Sequence, residues 1–268
     1  MLPSEVQGRF AAVIAENKLS LPLLPEVASQ VLAMVERPDC DARRLAELLR
    51  RDPAMTAHVM QVASSPVYAT ATKVASLQQA IARLGFATIV QVAMVVASKA
   101  RVFRVAGFET EVKEAFRHAL ATALFAQELA RARRSAVDAA FLAGLFHDFG
   151  EPVLMQAIVD LYAEVGLEID RDAVIAAVDA AHASVGAKLV ETWGMPATVA
   201  EAVLQHHAPQ APATCELATL VALADWFASG QIEPAPVQLA ARLNLYPDDV
   251  AEIAKRTDDI TQLVQAVA

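Results

Sequence analysis

Apolar residues recur with helical spacing along almost the whole chain. Spacing of three and four residues puts side chains on one helix face, and that is the pattern seen here. A first helix is expected over residues 4–16, followed by the turn Leu21-Pro22-Leu23-Leu24-Pro25. The next, 26–35, carries Val27, Val31, Leu32 and Val35 on one side and stops at Pro38. Asp41 can cap a third helix with Leu45, Leu48 and Leu49 inward. Asp52-Pro53 supplies a cap and a proline at the first helical position, ahead of the stripe Met55, Val59 and Val62. Ser76 and Gln79 form a capping box. The helix it opens, through Leu77, Ala80, Ile81 and Leu84, should end at Gly85. Residues 87–102 are apolar nearly all round, which predicts a buried central helix. Only residues 67–74 hint at strand-like alternation; they follow a Ser-Ser-Pro and are read as a loop, with 66–75 the expected mobile segment.

The pattern changes around residues 104–110, where Gly107 and the charges Glu109, Glu111, Lys113 and Glu114 mark an internal boundary. Helices follow at 111–132, 136–157, 170–194 (closed by Gly194 and Pro196), 197–207 and 216–229. Arg131, Arg133 and Arg134 read as a solvated helix end, favoured by the helix dipole. A Pro-containing linker at 231–236 leads to two short terminal helices. The expected fold class is all-α.

Composition narrows the function. The hydrophobic fraction of 56% exceeds the usual ~45–50%, so 268 residues can bury a large core. A net charge of −9 argues against nucleic acid or an anionic membrane surface as partner. The two cysteines, Cys40 and Cys215, form no framework, which fits a reducing compartment. The amino-terminal stretch has no basic region leading into a signal-type core, and the apolar run at 86–97 is too short for the ~20 residues of a membrane span. A cytoplasmic location is expected.

The chemistry concentrates in one constellation. His147 and Asp148 sit inside an apolar run, Leu142-Ala-Gly-Leu-Phe-His-Asp-Phe-Gly150, and a buried carboxylate needs a counter-charge or a metal. Glu114 and His118 are four apart. His182 heads the stripe Val185, Gly186, Leu189, Val190, Trp193. Val199, Val203 and the pair His206-His207 align in the same way, as do Leu217, Val221 and Asp225. Five imidazoles and three carboxylates thus point inward from five helices. Mixed imidazole and carboxylate ligands suit first-row divalent metals (Fe, Mn, Zn, Ni or Co), and so many ligands suit one or two ions that could activate a water for hydrolysis. His58 has no carboxylate in register and reads as an ordinary satisfied histidine.

The order His118, His147-Asp148, Asp225 resembles the HD superfamily of metal-dependent phosphohydrolases. The chain is more closely similar to the HDOD family, the HD-related output domains. Leu21–Ala28 resembles that family's opening, and Leu48–Thr56 its Asp-Pro-Ala-Leu-Thr helix start. Ser76–Gly85, Ala143–Gly150, His182–Ala187, Trp193–Pro196 and His206-His207 complete the resemblance in order. It implies an amino-terminal helical bundle (1–108) packed on an HD-type helical core (109–268), together one module, and a signalling or regulatory output role. The HD-GYP cyclic-dinucleotide phosphodiesterases are a second likeness. On their pattern Glu114, His118, His147, Asp148, His182, His206, His207 and Asp225 would be metal ligands. The chain departs from that pattern at Glu151, where those enzymes carry a lysine near the phosphate, and at Ala208-Pro209, where they carry Gly-Tyr-Pro; the spacing to Asp225 is also short.

Three readings follow. The first is a signalling module with an HD-like metal site, acting through a protein partner, with a dimer or a nucleotide ligand compatible. The second is a metal-dependent phosphohydrolase of nucleotides or cyclic dinucleotides, with His147 and Asp148 at its catalytic centre. The third is a metal-free cluster whose side chains satisfy one another.

Overall fold

The computed structural model describes residues 1–16, 18–35, 37–65, 68, 73–101, 105–231 and 236–267, with side chains for all of these but 98–101 and 266–267. The loop expected at 67–74, the mobile segment at 66–75 and the linker at 231–236 lie, but for a few positions, outside the described residues. Every regular element among the described residues is a helix. The chain forms two compact units: residues 1–22 together with 102–266, and residues 23–101. The first 22 residues, with α1 (Ser4–Ala15), therefore group with the later helices and not with 23–101, as a boundary near 108 had supposed.

The smaller unit contains α2 (Glu26–Val35), α3 (Ala42–Leu49), α4 (Pro53–Ala63) and α5 (Leu77–Arg101). Its helix starts are those the caps predict. The Asp41 carboxylate accepts from Arg44 N at 2.8 Å, and Asp52 accepts from Ala54 N and Met55 N at 2.9 and 3.0 Å. Gln79 N donates to Ser76 Oγ at 3.2 Å, while the Gln79 side chain reaches back to Ala75 N. The interior is mainly apolar, with Gln91 a buried polar exception: Val31, Leu45, Leu49, Met55, Val59, Ile81 and Ile89 are fully or almost fully buried. Gly85, with φ +79°, breaks the helical path inside α5, a conformation glycine reaches without steric cost. Taken together, Leu77–Ala97 is 21 residues of mean hydropathy 1.9, long and apolar enough to cross a bilayer, which the twelve-residue run alone is not. Of that stretch 61% is buried within the protein, as befits the core helix of this unit.

The larger unit is built on α6 (Glu109–Ala132), about 36 Å long at 1.5 Å per residue. The following elements are α7 (Val137–Phe146), α8 (Gly150–Val165), α9 (Arg171–Asp179), α10 (His182–Thr192), α11 (Ala197–Gln205) and α12 (Glu216–Ala228). Three short helices close the chain, α13 (Val237–Arg242), α14 (Pro247–Ala254) and α15 (Thr257–Val267), where two were expected. Phe125 of α6 stacks on Phe227 of α12 with centroids 5.3 Å apart. Phe146, Phe149 and Trp193 meet edge to face, and the Trp193 indole donates to Pro22 O at 2.8 Å.

Two helices expected to be continuous are broken. Residues 136–157 divide at His147-Asp148-Phe149, between α7 and α8. Residues 170–194 divide at Ala180-Ala181, where α9 and α10 bend by 63°. Of the arginine cluster, Arg131 and Arg134 are exposed as a solvated end predicts, and Arg133 is not. Arg133 is largely buried, donates to Leu243 O and pairs with Glu216, tying α6 to α12 and to the turn after α13; Arg131 pairs with Glu128.

Candidate metal centre

The break at 147–149 explains how two neighbours serve one site. Consecutive residues of a helix point ~100° apart. Across the α7–α8 turn, His147 and Asp148 instead face each other, with Nε2 to Oδ2 at 2.9 Å. The bend before α10 places His182 at a helix start, its Nε2 3.3 Å from Asp148 Oδ1. His206, just after α11, sets Nε2 at the same distance from the same oxygen. His207 Nε2 lies 2.8 Å from His182 Nε2. On the other side His118 of α6 stands with its ring centroid 5.5 Å from that of His147, and its Nε2 is 2.8 Å from Asp225 Oδ1 of α12. Two groups of ligand atoms lie within 4.8 Å of one another: Asp148, His182, His206 and His207, and His118, His147 and Asp148. Asp148 belongs to both.

Seven of the eight expected residues are therefore brought together, six in these two groups and Asp225, in neither, through its contact with His118. Glu114 is not: it is exposed on α6, one turn before His118, and stands in neither group. The cluster is graded in depth. His147, His182 and His206 are 1 to 3% exposed, whereas the side chains of His118 and Asp225 are 27% and 39% exposed and His207 is exposed too, so it reaches solvent at both ends.

The backbone fixes the protonation of the buried rings. Nδ1 of His147 is 2.8 Å from Gly144 O, Nδ1 of His206 is 2.6 Å from Val203 O, and Nδ1 of His182 is 3.3 Å from Val178 O. A carbonyl oxygen only accepts, so each Nδ1 carries its hydrogen and a neutral ring offers a lone pair at Nε2. Those lone pairs face the Asp148 carboxylate or a second imidazole. Nε2 of His147 and of His206 is buried with no properly directed hydrogen bond, despite the short distances to Asp148. Lone pairs facing one another in a dry interior need a cation between them, either a proton or a metal. Ring nitrogens turned inward while the other nitrogen donates to a main-chain carbonyl are what metal-binding histidines present. Two ligands ~2.1 Å from one ion stand ~3–4 Å apart, the spacing found around Asp148. The residues fit a divalent metal centre.

Without a metal, the electrostatics supply a proton as that cation. Burial works against a charged His147, but the Asp148 carboxylate outweighs it and raises the pKa to about 9. Burial opposes charge on Asp148 too, and His147, His182 and His206 together hold it well below the usual carboxylate range. Burial, then repulsion from Asp148, pushes the half-buried Glu151 up to about 7. Burial and the neighbouring rings His206 and His182 lower His207. Asp225 is held low by its bond to His118 and the charge of His147, against the cost of burial. Lys188 is exposed and pairs with Glu191 at 3.7 Å.

An all-helical fold around a His–Asp centre of this kind defines an HD-type protein. A profile of the HDOD domain matches residues 21–209, and the chain belongs to the HDOD family. A solved structure from Shewanella amazonensis, described as a candidate metal-dependent phosphohydrolase, is 22% identical with a TM-score of 0.75, covering 99% of both chains. An HDOD domain protein of Geobacter sulfurreducens is 21% identical with a TM-score of 0.71, covering 98% of this chain and 99% of that one. A Marinobacter aquaeolei protein described as a candidate signal transduction protein is 25% identical with a TM-score of 0.64, over 98% of this chain and 66% of its own. Two curated relatives match: an uncharacterized protein of Treponema pallidum, 24% identical over 215 residues, and ribonuclease Y of Acholeplasma laidlawii, 26% identical over 136 residues. The matches cover 76% and 50% of this chain but span only 41% and 24% of those proteins' lengths.

Proposed function

We propose that this chain is a signalling output module in which His118, His147, Asp148, His182, His206, His207 and Asp225 hold one or two divalent metal ions, and which acts on a protein partner rather than by turnover. The two compact units would work together as one HDOD module. The observation that carries the reading is Glu151. It is half-buried, one turn beyond Asp148, and feels that carboxylate directly. A phosphodiester brings negative charge, which the ionised form of a carboxyl group that feels Asp148, His182 and His147 repels. The likeness to a protein described as a signal transduction protein supports the same reading.

One observation favours a phosphohydrolase as second reading: Asp148 is shared by both ligand groups, the arrangement in which paired metals activate water and stabilise a leaving oxygen. A screen of cyclic dinucleotides, cyclic mononucleotides and nucleotides, with Mn or Fe added, separates the two. Turnover that vanishes in His147→Ala would establish the enzyme. Uniform inactivity of metal-loaded protein is the outcome the signalling reading expects.

A further inference from the structure

The ligand-bearing helices approach one another through glycines. A Cβ added to Gly150, the first residue of α8, would overlap the carbonyl oxygen of His182 and lie 2.8 Å from the His182 carbonyl carbon and from Gly186 N. Side-chain carbons do not come within 3.0 Å of backbone, so no other residue fits without α8 and α10 separating. Gly186 lies one turn into α10. A Cβ there would meet Val203 Cγ1 at 3.1 Å and Gly150 N at 3.3 Å, so the same contact runs on to α11. The residues joined are those that matter: Gly150 is two beyond Asp148, it abuts the main chain of His182, and Val203 O accepts the bond that orients His206.

We propose that Gly150 and Gly186 are positioning residues: their close backbone contact sets His182 and His206 at one oxygen of Asp148, and so tunes the affinity of the group Asp148, His182, His206 and His207 separately from that of His118, His147 and Asp148. The 3.3 Å distances from both rings to Asp148 Oδ1 leave little slack. A shift of α10 by the width of a methyl group would move His182 out of reach. The inference rests on the metal-centre reading.

The test is a Co(II) titration followed by visible absorption, with binding stoichiometry and the thermal melt of the metal-free protein measured in parallel. Wild type should bind at both groups; if it binds no Co(II), the metal reading itself fails and this inference with it. Gly150→Ala should weaken one of the two binding steps by ~10–100-fold, the cost usual for losing a residue that orients metal ligands, and change its spectrum while the other step stays. Gly186→Ala should weaken the same step less, because its Cβ would meet Val203 Cγ1 at 3.1 Å and Gly150 N at 3.3 Å, contacts tight enough to shift α10 but far milder than the overlap at Gly150. Gly8→Ala, which meets nothing within 4 Å, is the control. A folded Gly150→Ala with wild-type affinity and spectrum overturns the proposal. If Gly150→Ala does not fold, Gly186→Ala decides: a folded Gly186→Ala that loses no affinity at either step overturns it.

Discussion

His58 and His147 make the same local bond and have opposite consequences. Each sits near a helix end or face with Nδ1 on a main-chain carbonyl of the preceding turn, Ala54 O at 3.0 Å and Gly144 O at 2.8 Å. His58 belongs to the unit of α2 to α5, whose interior is mainly apolar, with Gln91 a buried polar exception, and its ring is half-exposed, so water completes its needs. His147 belongs to the unit of α6 to α12 and is 1% exposed, with a carboxylate 2.9 Å from its other nitrogen. The first unit is stabilised mainly by apolar burial and, among the described residues, gathers no cluster of imidazoles and carboxylates. The second buries three imidazoles around one carboxylate, an arrangement costly by itself and favourable once a cation is supplied.

The comparison can be broken by experiment. The largest effect belongs to the apolar unit: Leu49→Ala should cost ~2–5 kcal/mol in denaturant unfolding, with metal content unchanged. Equal metal loss there would show that the centre depends on general packing. Next, His118→Ala and His206→Ala should each remove one binding step and spare the other, seen in metal-to-protein ratios after dialysis; loss of both in either variant would merge the two groups into one. Asp52→Ala deletes the α4 cap and should cost ~1 kcal/mol in the thermal melt. Smallest of all, His58→Ala should change stability by less than ~0.5 kcal/mol and metal content not at all.

Much of the fold could be read from local chemistry. Asp41, Asp52-Pro53 and Gly85 act within a few residues of themselves, and the helices start or break where they stand. The two breaks that build the centre could not be read this way. Leu145-Phe146 directly precede His147, with Gly144 inside α7, and Ala180-Ala181 is good helix sequence. Those turns are imposed by packing, at the Gly150–His182 contact among others. Spacing placed His118, His182 and Asp225 on inward faces, and they do converge. It could not tell how far along α6 the neighbouring helices reach. Glu114, on the same side of α6 as His118, lies beyond them in solvent. Arg133 misleads for a related reason: its partners, Glu216 and Leu243 O, are distant in sequence.

The central claim is that Asp148 holds metal for both groups. The direct measurement is metal content per chain by plasma mass spectrometry, on protein purified without a histidine tag or chelator, for wild type and Asp148→Ala. One to two equivalents in wild type and none in Asp148→Ala is the predicted result. No metal in wild type after Fe, Mn and Zn have each been offered, or an undiminished content in Asp148→Ala, would contradict it.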